Sequence, residues 1–357
     1  MAKLALTGGG RCNITNTFES VRSLDVVYPR GAILMKRALA DFSWQDTLDW
    51  FERRGVRFVT EELGRVFPAS QDAGEIVRVL LKALEGVSIE CGNRITALPE
   101  ADYVVVTTGG AAGMEILGNL PVETVPPVPS LFSFNISDTP QGGRSAITAL
   151  MGMSQDVTLC IPGTKLRSEG ALLITDWGFS GPAALRLSAY GARYLAEHGY
   201  ASPLSVRWIA GSETETASAL AGLKAANPKK LVRSVHPEGM QARLWEQIIA
   251  RSGLRADITW GELGSKGLNR LVQTILCDTY YIHGKTRFRD EFVTCGGVSL
   301  YSINAKTLEC KQHPGLYFAG EVLDVDAVTG GFNLQAAWST AHLAAKSIIS
   351  SYDTQNL

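Results

Sequence analysis

The chain has 357 residues, of which 45% are hydrophobic, 19% are charged and 36 are glycine. That apolar share excludes a disordered chain, and the length suits two or three domains. Lys and Arg number 34 against 35 Asp and Glu, a formal net charge of -1; no basic excess argues for nucleic acid, and no nucleic-acid partner is expected.

The first residues, Met-Ala-Lys-Leu-Ala-Leu, are too short for a signal-peptide core and run into a glycine turn at 7–10. Over 32–54 the apolar positions (Ile33, Leu34, Ala38, Leu39, then Leu48, Trp50 and Phe51) fall at helical spacing. A short strand is predicted at 55–59 and a turn at 64–68. Asp72 is placed to cap a helix, with Glu75 three residues on and apolar residues from Ile76 to Leu84. Residues 88–91 read as a strand. The run 102–110, valine-rich and closing on Gly109-Gly110, predicts a central parallel strand buried on both faces.

Residues 121–208 are punctuated by proline and carry short alternating runs at 131–136, 157–161 and 171–175, the signature of a β-rich module. Within it, 178–182 turns into a helix through Leu185, Leu187 and Tyr190, with Pro182 at its first position. Residues 213–279 read as mostly helical, at 217–225, 228–235, 241–250 and 267–278. A last strand is predicted at 314–321, then a loop at 322–329, then Gly330-Gly331 and a small-residue helix through Leu334, Ala337 and Ile348.

Cys12, Cys91, Cys160, Cys277, Cys295 and Cys310 are scattered, with no C-x-x-C pair, and the five histidines show no ligand spacing. Reduced thiols, a cytoplasmic location and no metal are expected. No apolar run approaches the ~20 residues of a membrane span, so no membrane partner is expected.

Three glycine clusters carry the chemistry. Gly330-Gly331 before a helix lets the backbone approach a ligand, and the helix start offers free N–H groups with a partial positive charge of about +0.5. A strand ending in Gly320-Glu321 places a carboxylate at the carboxyl edge of a parallel sheet, where it accepts from sugar hydroxyls. The competing reading is a plain strand–turn–helix whose glycines serve packing. At Gly8-Gly9-Gly10-Arg11, three glycines and a permanent cation suit a diphosphate or a flavin edge, against the reading of a flexible terminus. The third cluster is Thr107-Thr108-Gly109-Gly110. Tyr280, Tyr281 and His283 fit proton handling by type, with core packing the favoured reading; no catalytic residue is identified.

Taken together, the segments Thr-Gly-Gly-Gly-Arg-Cys-Asn-Ile-Thr-Asn (7–16), Gly-Arg-Val-Phe-Pro (64–68), Thr-Gly-Gly (108–110), Thr-Asp-Trp-Gly-Phe-Ser-Gly-Pro (175–182), Val-Thr-Cys-Gly-Gly-Val-Ser-Leu (293–300) and 314–337 resemble, in order, the bacterial FAD-dependent oxidoreductase family that includes aminoacetone oxidase-like enzymes and 3-dehydro-bile-acid reductases. The resemblance covers nearly the whole chain. It implies an α/β fold: a Rossmann-like FAD-binding domain (1–118 and 288–357), an inserted β-rich domain (119–212) and a small helical domain (213–287). It implies FAD contacts at Arg11, Cys12, Asn13, Thr108, Gly109, Gly320, Glu321, Asp324, Gly331, Phe332, Asn333, Leu334 and Gln335. The helix near Asn333 would then face the pyrimidine end of the flavin and stabilise charge there after reduction, with Gly296 and Gly297 beside the ring.

Family members open with a strand, a G-x-G-x-x-G turn, a helix and a second strand, about 30 residues that hold the ADP half of FAD. This sequence starts just after that unit and has no such turn elsewhere, and its segment 110–126 is short for the family. The first β-α-β unit is therefore expected to be missing, with FAD binding weakened or lost. The implied activity is hydride transfer between FAD and a small organic substrate, with NAD(P)H as a transient reductant. The alternative is a truncated or degenerate flavoprotein without catalysis.

Overall fold

A computed structural model describes residues 2–120, 122–285 and 293–355. Its contacts divide it into two units, Met1–Ser130 with Phe288–Leu357, and Leu131–Arg287. The boundary expected at 287/288 falls outside the described residues. Residues 119–130 group with the first unit, and the β-rich and helical segments that follow lie together in the second.

The first unit begins with α1 (Ala2–Leu6), β1 (Thr15–Asn16) and α2 (Leu24–Val27). The helical pattern at 32–54 resolves into two helices, α3 (Ala32–Asp41) and α4 (Trp44–Glu52). Ser43 makes the break: its Oγ accepts from Asp46 N at 3.3 Å, while Asp46 Oδ2 accepts from Ser43 N at 2.8 Å. This reciprocal cap satisfies two otherwise orphaned helix-start donors. Strands β2 (Phe58–Glu61) and β3 (Arg65–Pro68) join β1 in an antiparallel sheet ordered β1-β3-β2, with Thr15 opposite Val66. Asp72 caps α5 (Ala73–Ala83) as expected, accepting from Gly74 N at 2.8 Å, but Glu75 takes Ser70 as its partner. No strand forms at 88–91, where the residues are exposed and no neighbouring strand is there to pair with among the described residues. Next come β4 (Val104–Val106) and β5 (Thr124–Ser130).

The second unit contains β6 (Phe134–Ser137), β7 (Ser154–Cys160), β8 (Arg167–Ile174), β9 (Gly178–Ser180), α6 (Gly181–Tyr190), α7 (Ala192–Glu197), β10 (Ala201–Arg207), α8 (Glu213–Ala226), α9 (Ala242–Arg251), α10 (Ser265–Leu276) and β11 (Asp278–Lys285). Its six strands close an antiparallel barrel in the order β10-β11-β6-β9-β8-β7. Phe179 fills the barrel edge-on to Tyr280 and Trp208, with ring centroids 5.1 and 6.4 Å away. The helix expected at 228–235 shrinks to a 3₁₀ turn, Val232–Ser234. The backbone there pairs instead with 258–260: Val232 N donates to Ile258 O (3.0 Å), and Trp260 N donates to Lys230 O (2.9 Å).

The chain returns to the first unit with β12 (Val293–Val298), antiparallel to β5, then β13 (Leu316–Phe318) and α11 (Phe332–Gln355). β13 runs parallel to β4, with Leu316 opposite Val104. This is the parallel pair of the α/β core. The expectation that β4 is buried on both faces is corrected here. Among the described residues its only strand neighbour is β13, and Val105 is 41% exposed, because a two-stranded ribbon leaves one face without a covering layer.

Ser43→Ala is expected to lower the unfolding free energy by about 1 kcal/mol in urea titration. Hydrogen bonds from Ser43 hold the Asp46 carboxyl below its ordinary range. The ionised cap therefore contributes above that range, and its contribution fades as pH falls through it; the difference between wild type and variant should shrink in acid.

Candidate functional site

The carboxyl ends of β4 and β13 lie side by side, where open α/β sheets take ligands. β4 leads into Thr108 and Gly109, and β13 into a 3₁₀ turn, Gly320–Val322. Glu321 sits between them: its Oε1 accepts from Thr294 N at 2.9 Å, and its Oε2 pairs with Lys3 Nζ at 2.7 Å. Gly110 packs so tightly here that a Cβ would overlap the Thr294 hydroxyl and approach Glu321 Oε1 to 2.9 Å. Gly109, by contrast, faces space, with only Glu321 Oε2 at 3.9 Å from where a Cβ would stand. Gly320 N donates to Thr340 Oγ1 at 2.9 Å, tying this turn to α11. Asp324 N donates to Val298 O at 3.0 Å.

A second cluster forms at the start of α11. Asn13, with its amide oriented to satisfy both sides, accepts from Gly331 N at 3.0 Å and donates to the carbonyls of Thr15 and Val66. Asn16 Nδ2 donates to Gly330 O at 3.0 Å, and Thr15 Oγ1 donates to Gln335 Oε1 at 2.5 Å. Thr47 Oγ1 also donates to Gln335 Oε1 (3.0 Å), and Gln335 Nε2 donates to Ser339 Oγ (2.9 Å), so this fully buried amide is satisfied inside the protein. Asn333 is likewise committed: its Oδ1 accepts from Ala327 N and its Nδ2 donates to Ala327 O, both at 2.9 Å, which fixes the end of the 322–329 loop. Tyr28 OH donates to Phe332 O at 2.9 Å.

The backbone N–H groups of Phe332, Asn333 and Leu334 have no protein acceptor among the described residues. They are the positive end of a 24-residue helix. Gly331 and Thr340 are nine residues apart, so the two clusters lie roughly 13 Å apart along α11, a separation that calls for an elongated ligand. These donors, the Glu321 carboxylate and the open space over Gly109 fit the flavin and ribityl part of FAD. No strand–G-x-G-x-x-G–helix turn stands among the described residues to cradle an adenylate half.

Arg11 donates to Glu61 Oε1 (2.9 Å) and Gln71 Oε1 (3.0 Å) and lies over the Phe67 ring at 4.2 Å, which leaves its side chain half exposed. Cys12 is fully buried, and burial pushes its thiol up to about 11, against a smaller opposing hydrogen bond with Thr7. It stays protonated at neutral pH and is no thiolate nucleophile.

Ten of the thirteen expected contacts fall into two groups, Thr108, Gly109, Gly320 and Glu321 at the strand ends, and Asn13 with 331–335 at the helix start. The side chains of Asn333 and Gln335 are bonded within the protein; Asn333 keeps a backbone N–H without a protein acceptor among the described residues, whereas Gln335 N donates to Gly331 O at 3.0 Å. At Gly296 and Gly297 there is no room for a side chain: a Cβ on Gly296 would reach within 2.9 Å of Val125 O, and one on Gly297 within 2.9 Å of the Leu323 carbonyl carbon. Tyr280 belongs to the barrel core, its OH donating to Asp278 Oδ2 at 2.8 Å, and His283 lies 3.3 Å from Thr139 O. Sequence reasoning does not find Lys3, Thr15, Asn16, Thr294 and Thr340. Thr15 and Asn16 are inside the 7–16 segment, but nothing in the sequence pairs Lys3 or Thr294 with Glu321.

A parallel strand pair with a glycine turn at each carboxyl end, next to an open helix N-terminus, defines a Rossmann-type cofactor site. A family model described as the HI0933-like protein Rossmann domain matches residues 1–347, and the chain belongs to that family of FAD-binding flavoprotein oxidoreductases. The chain is 27% identical over 377 residues to a ribosomal RNA dihydrouridine synthase of Haemophilus influenzae, covering 97% of this chain and 89% of the relative. It is 26% identical over 374 residues to an Escherichia coli protein of the same name, with the same coverage. It is also 26% identical over 380 residues to a 3-dehydro-bile acid delta(4,6)-reductase of Clostridium scindens, covering 96% and 89%.

Two measurements test this geometry. Gly331 has φ +90°, and a Cβ there would overlap the Thr15 carbonyl and lie 2.9 Å from the Asn13 side-chain amide. Gly331→Ala should cost roughly 2–5 kcal/mol in urea titration, backbone strain plus overpacking. Gly9→Ala, with φ +67° but nothing within 4 Å, should cost only about 1–2 kcal/mol. In iodoacetamide labelling at pH 8 followed by peptide mass spectrometry, exposed Cys91 and Cys277 should react and Cys12 should not.

Proposed function

We propose that this chain is an FAD-dependent reductase that saturates a carbon–carbon double bond conjugated to a carbonyl, with the uracil ring of RNA as its substrate. The observation that carries the cofactor is the strand-end cluster around Glu321 joined through α11 to three acceptor-free N–H groups at 332–334. The substrate class is supported by the relatives' names: dihydrouridine is uridine with two hydrogens added across a ring double bond, and a delta(4,6)-reductase saturates ring double bonds. Both reactions need the same redox unit, a hydride to one carbon and a proton to the other.

Bound FAD, reduced by a nicotinamide, supplies the hydride. The chain's own residues bind and orient. The 332–334 N–H groups offer a partial positive charge to an electron-rich carbonyl or anion, and preorganised donors of this kind stabilise charge without reorganising. Glu321 accepts from a ligand hydroxyl on its free lone pairs, while Lys3 and Thr294 N hold it in place. The six unbridged cysteines suit a cytoplasmic protein.

Purified protein incubated with FAD should turn yellow. Under anaerobic conditions with NADPH or NADH it should oxidise the nicotinamide only when uridine-containing RNA is present, and mass spectrometry of the RNA should show two added hydrogens on uridine. A protein that stays colourless with added FAD rejects the enzyme reading in favour of a degenerate flavoprotein. An enone that is turned over while RNA is not moves the substrate to small molecules. With no adenylate cradle among the described residues, the chain should bind FAD and FMN within about tenfold of each other in fluorescence titration, a difference below about 1.4 kcal/mol.

A further inference from the structure

The near-zero charge of the whole chain hides a segregation between its two units. Residues 131–287 hold 17 Lys and Arg against 12 Asp and Glu, a net charge of +5, while the rest of the chain holds 17 against 23, a net charge of -6. Such asymmetry is an electrostatic footprint that a total conceals.

Within the basic unit, α9 and α10 border an open cavity of about 450 Å³. Three of its seven lining residues, Arg251, Lys266 and Arg270, are cations, and none is a carboxylate. Arg251 forms a neutralised floor. Its Nε donates to Asp278 Oδ1 (2.6 Å), its Nη1 to Asp138 Oδ1 (2.7 Å) and its Nη2 to Thr279 O (2.6 Å), and it lies 4.1 Å from the Tyr280 ring centroid. Lys266 and Arg270 are different. Both are exposed, and neither has a carboxylate partner among the described residues. They lie four residues apart on α10, one above the other, where like charges repel. Glu213 of α8 accepts from Gln273 and leaves both cations uncompensated. Two unpaired cations that line one open cavity lose their repulsion when an anion sits between them.

We propose that this cavity is a phosphate-binding site, with Lys266 and Arg270 gripping the phosphodiester backbone of an RNA strand. The proposal rests on the RNA reading given above and names where the strand is held. Contacts of this kind set affinity and register and carry no base specificity. Asn269, exposed between the two cations in sequence and lining the same cavity, adds a neutral donor.

The test uses the full chain with FAD and no reductant, so that binding is read apart from turnover. Anisotropy of a labelled, uridine-rich single-stranded RNA is measured between 50 and 200 mM salt. Lys266→Ala/Arg270→Ala should bind at least ~5-fold more weakly at 50 mM, with a log–log salt slope shallower by about 1.4, two phosphate contacts at about 0.7 each. Both side chains are exposed, so the urea midpoint should not fall, and Lys266→Gln gives a milder second variant. Unchanged affinity and slope overturn the proposal. So does an equal loss in Arg78→Ala/Lys82→Ala on α5, which would mean diffuse attraction. A raised KM for NADPH with RNA binding intact also overturns it and assigns the phosphate to the dinucleotide. A wild-type chain that holds RNA through these cations but never saturates uridine keeps this site and loses the substrate assignment. Saturation of uridine with RNA affinity indifferent to both cations keeps the substrate assignment and loses this site.

Discussion

The close contact between β1 and the start of α11 is the constraint on which the first unit depends. Three closely spaced side chains, Asn13, Thr15 and Asn16, bind Gly331, Gln335 and Gly330, more than 300 residues later in the chain. Trp338 Nε1 adds a bond to Ile14 O at 3.1 Å. The backbones come so near that no side chain can stand at position 331. A buried amide such as Gln335 is costly unless every polar atom is bonded. Thr15, Thr47 and Ser339 supply those bonds, and in doing so they lock α3–α4, β1 and α11 into one arrangement with the free end of α11 held open.

From that lock the rest of the site follows. α11 runs from the β1 contact to Thr340, which receives Gly320 N and so positions the turn after β13. β13 aligns β4, and the two carboxyl ends bring Gly109, Gly110 and Glu321 together with Thr294 of β12. Asp326, fully buried, anchors the intervening loop through Arg30 and Ser130 Oγ (3.0 Å). No helix among the described residues is long and apolar enough to cross a membrane. The barrel unit uses a different device, an aromatic core closed by an Arg251–Asp278–Tyr280 network in which Asp278 and Tyr280 are buried, and carries the chain's excess positive charge.

Much of the organisation was legible in local chemistry. The Asp72 cap, the Pro182 helix start, the valine run of β4 and the glycine turns at 109–110 and 330–331 depend on neighbours a few residues away, and the structure forms all of them; the Ser43 cap that splits 32–54 into two helices is as local and went unread. Local chemistry misled where a strand or helix needed a partner. Residues 88–91 have the composition of a strand but no neighbour, and 228–235 gives its backbone to 258–260. Whole-chain charge has a related limit, since a sum does not show which unit holds each sign.

The sequence by itself determined the glycine turns, the Asp72 cap and the apolar periodicity, because these act over a turn or a strand, and the order of its motifs carries the resemblance to an α/β flavoprotein family. Only the tertiary structure decided what those residues do. It commits the side chains of Asn333 and Gln335 to bonds inside the protein, packs backbone where a Cβ on Gly296 or Gly297 would stand, and sets Lys3 and Thr294 against Glu321. The reason is that hydrogen-bond satisfaction and close packing are settled between segments hundreds of residues apart. A side chain's freedom to meet a ligand is what remains after those demands are met.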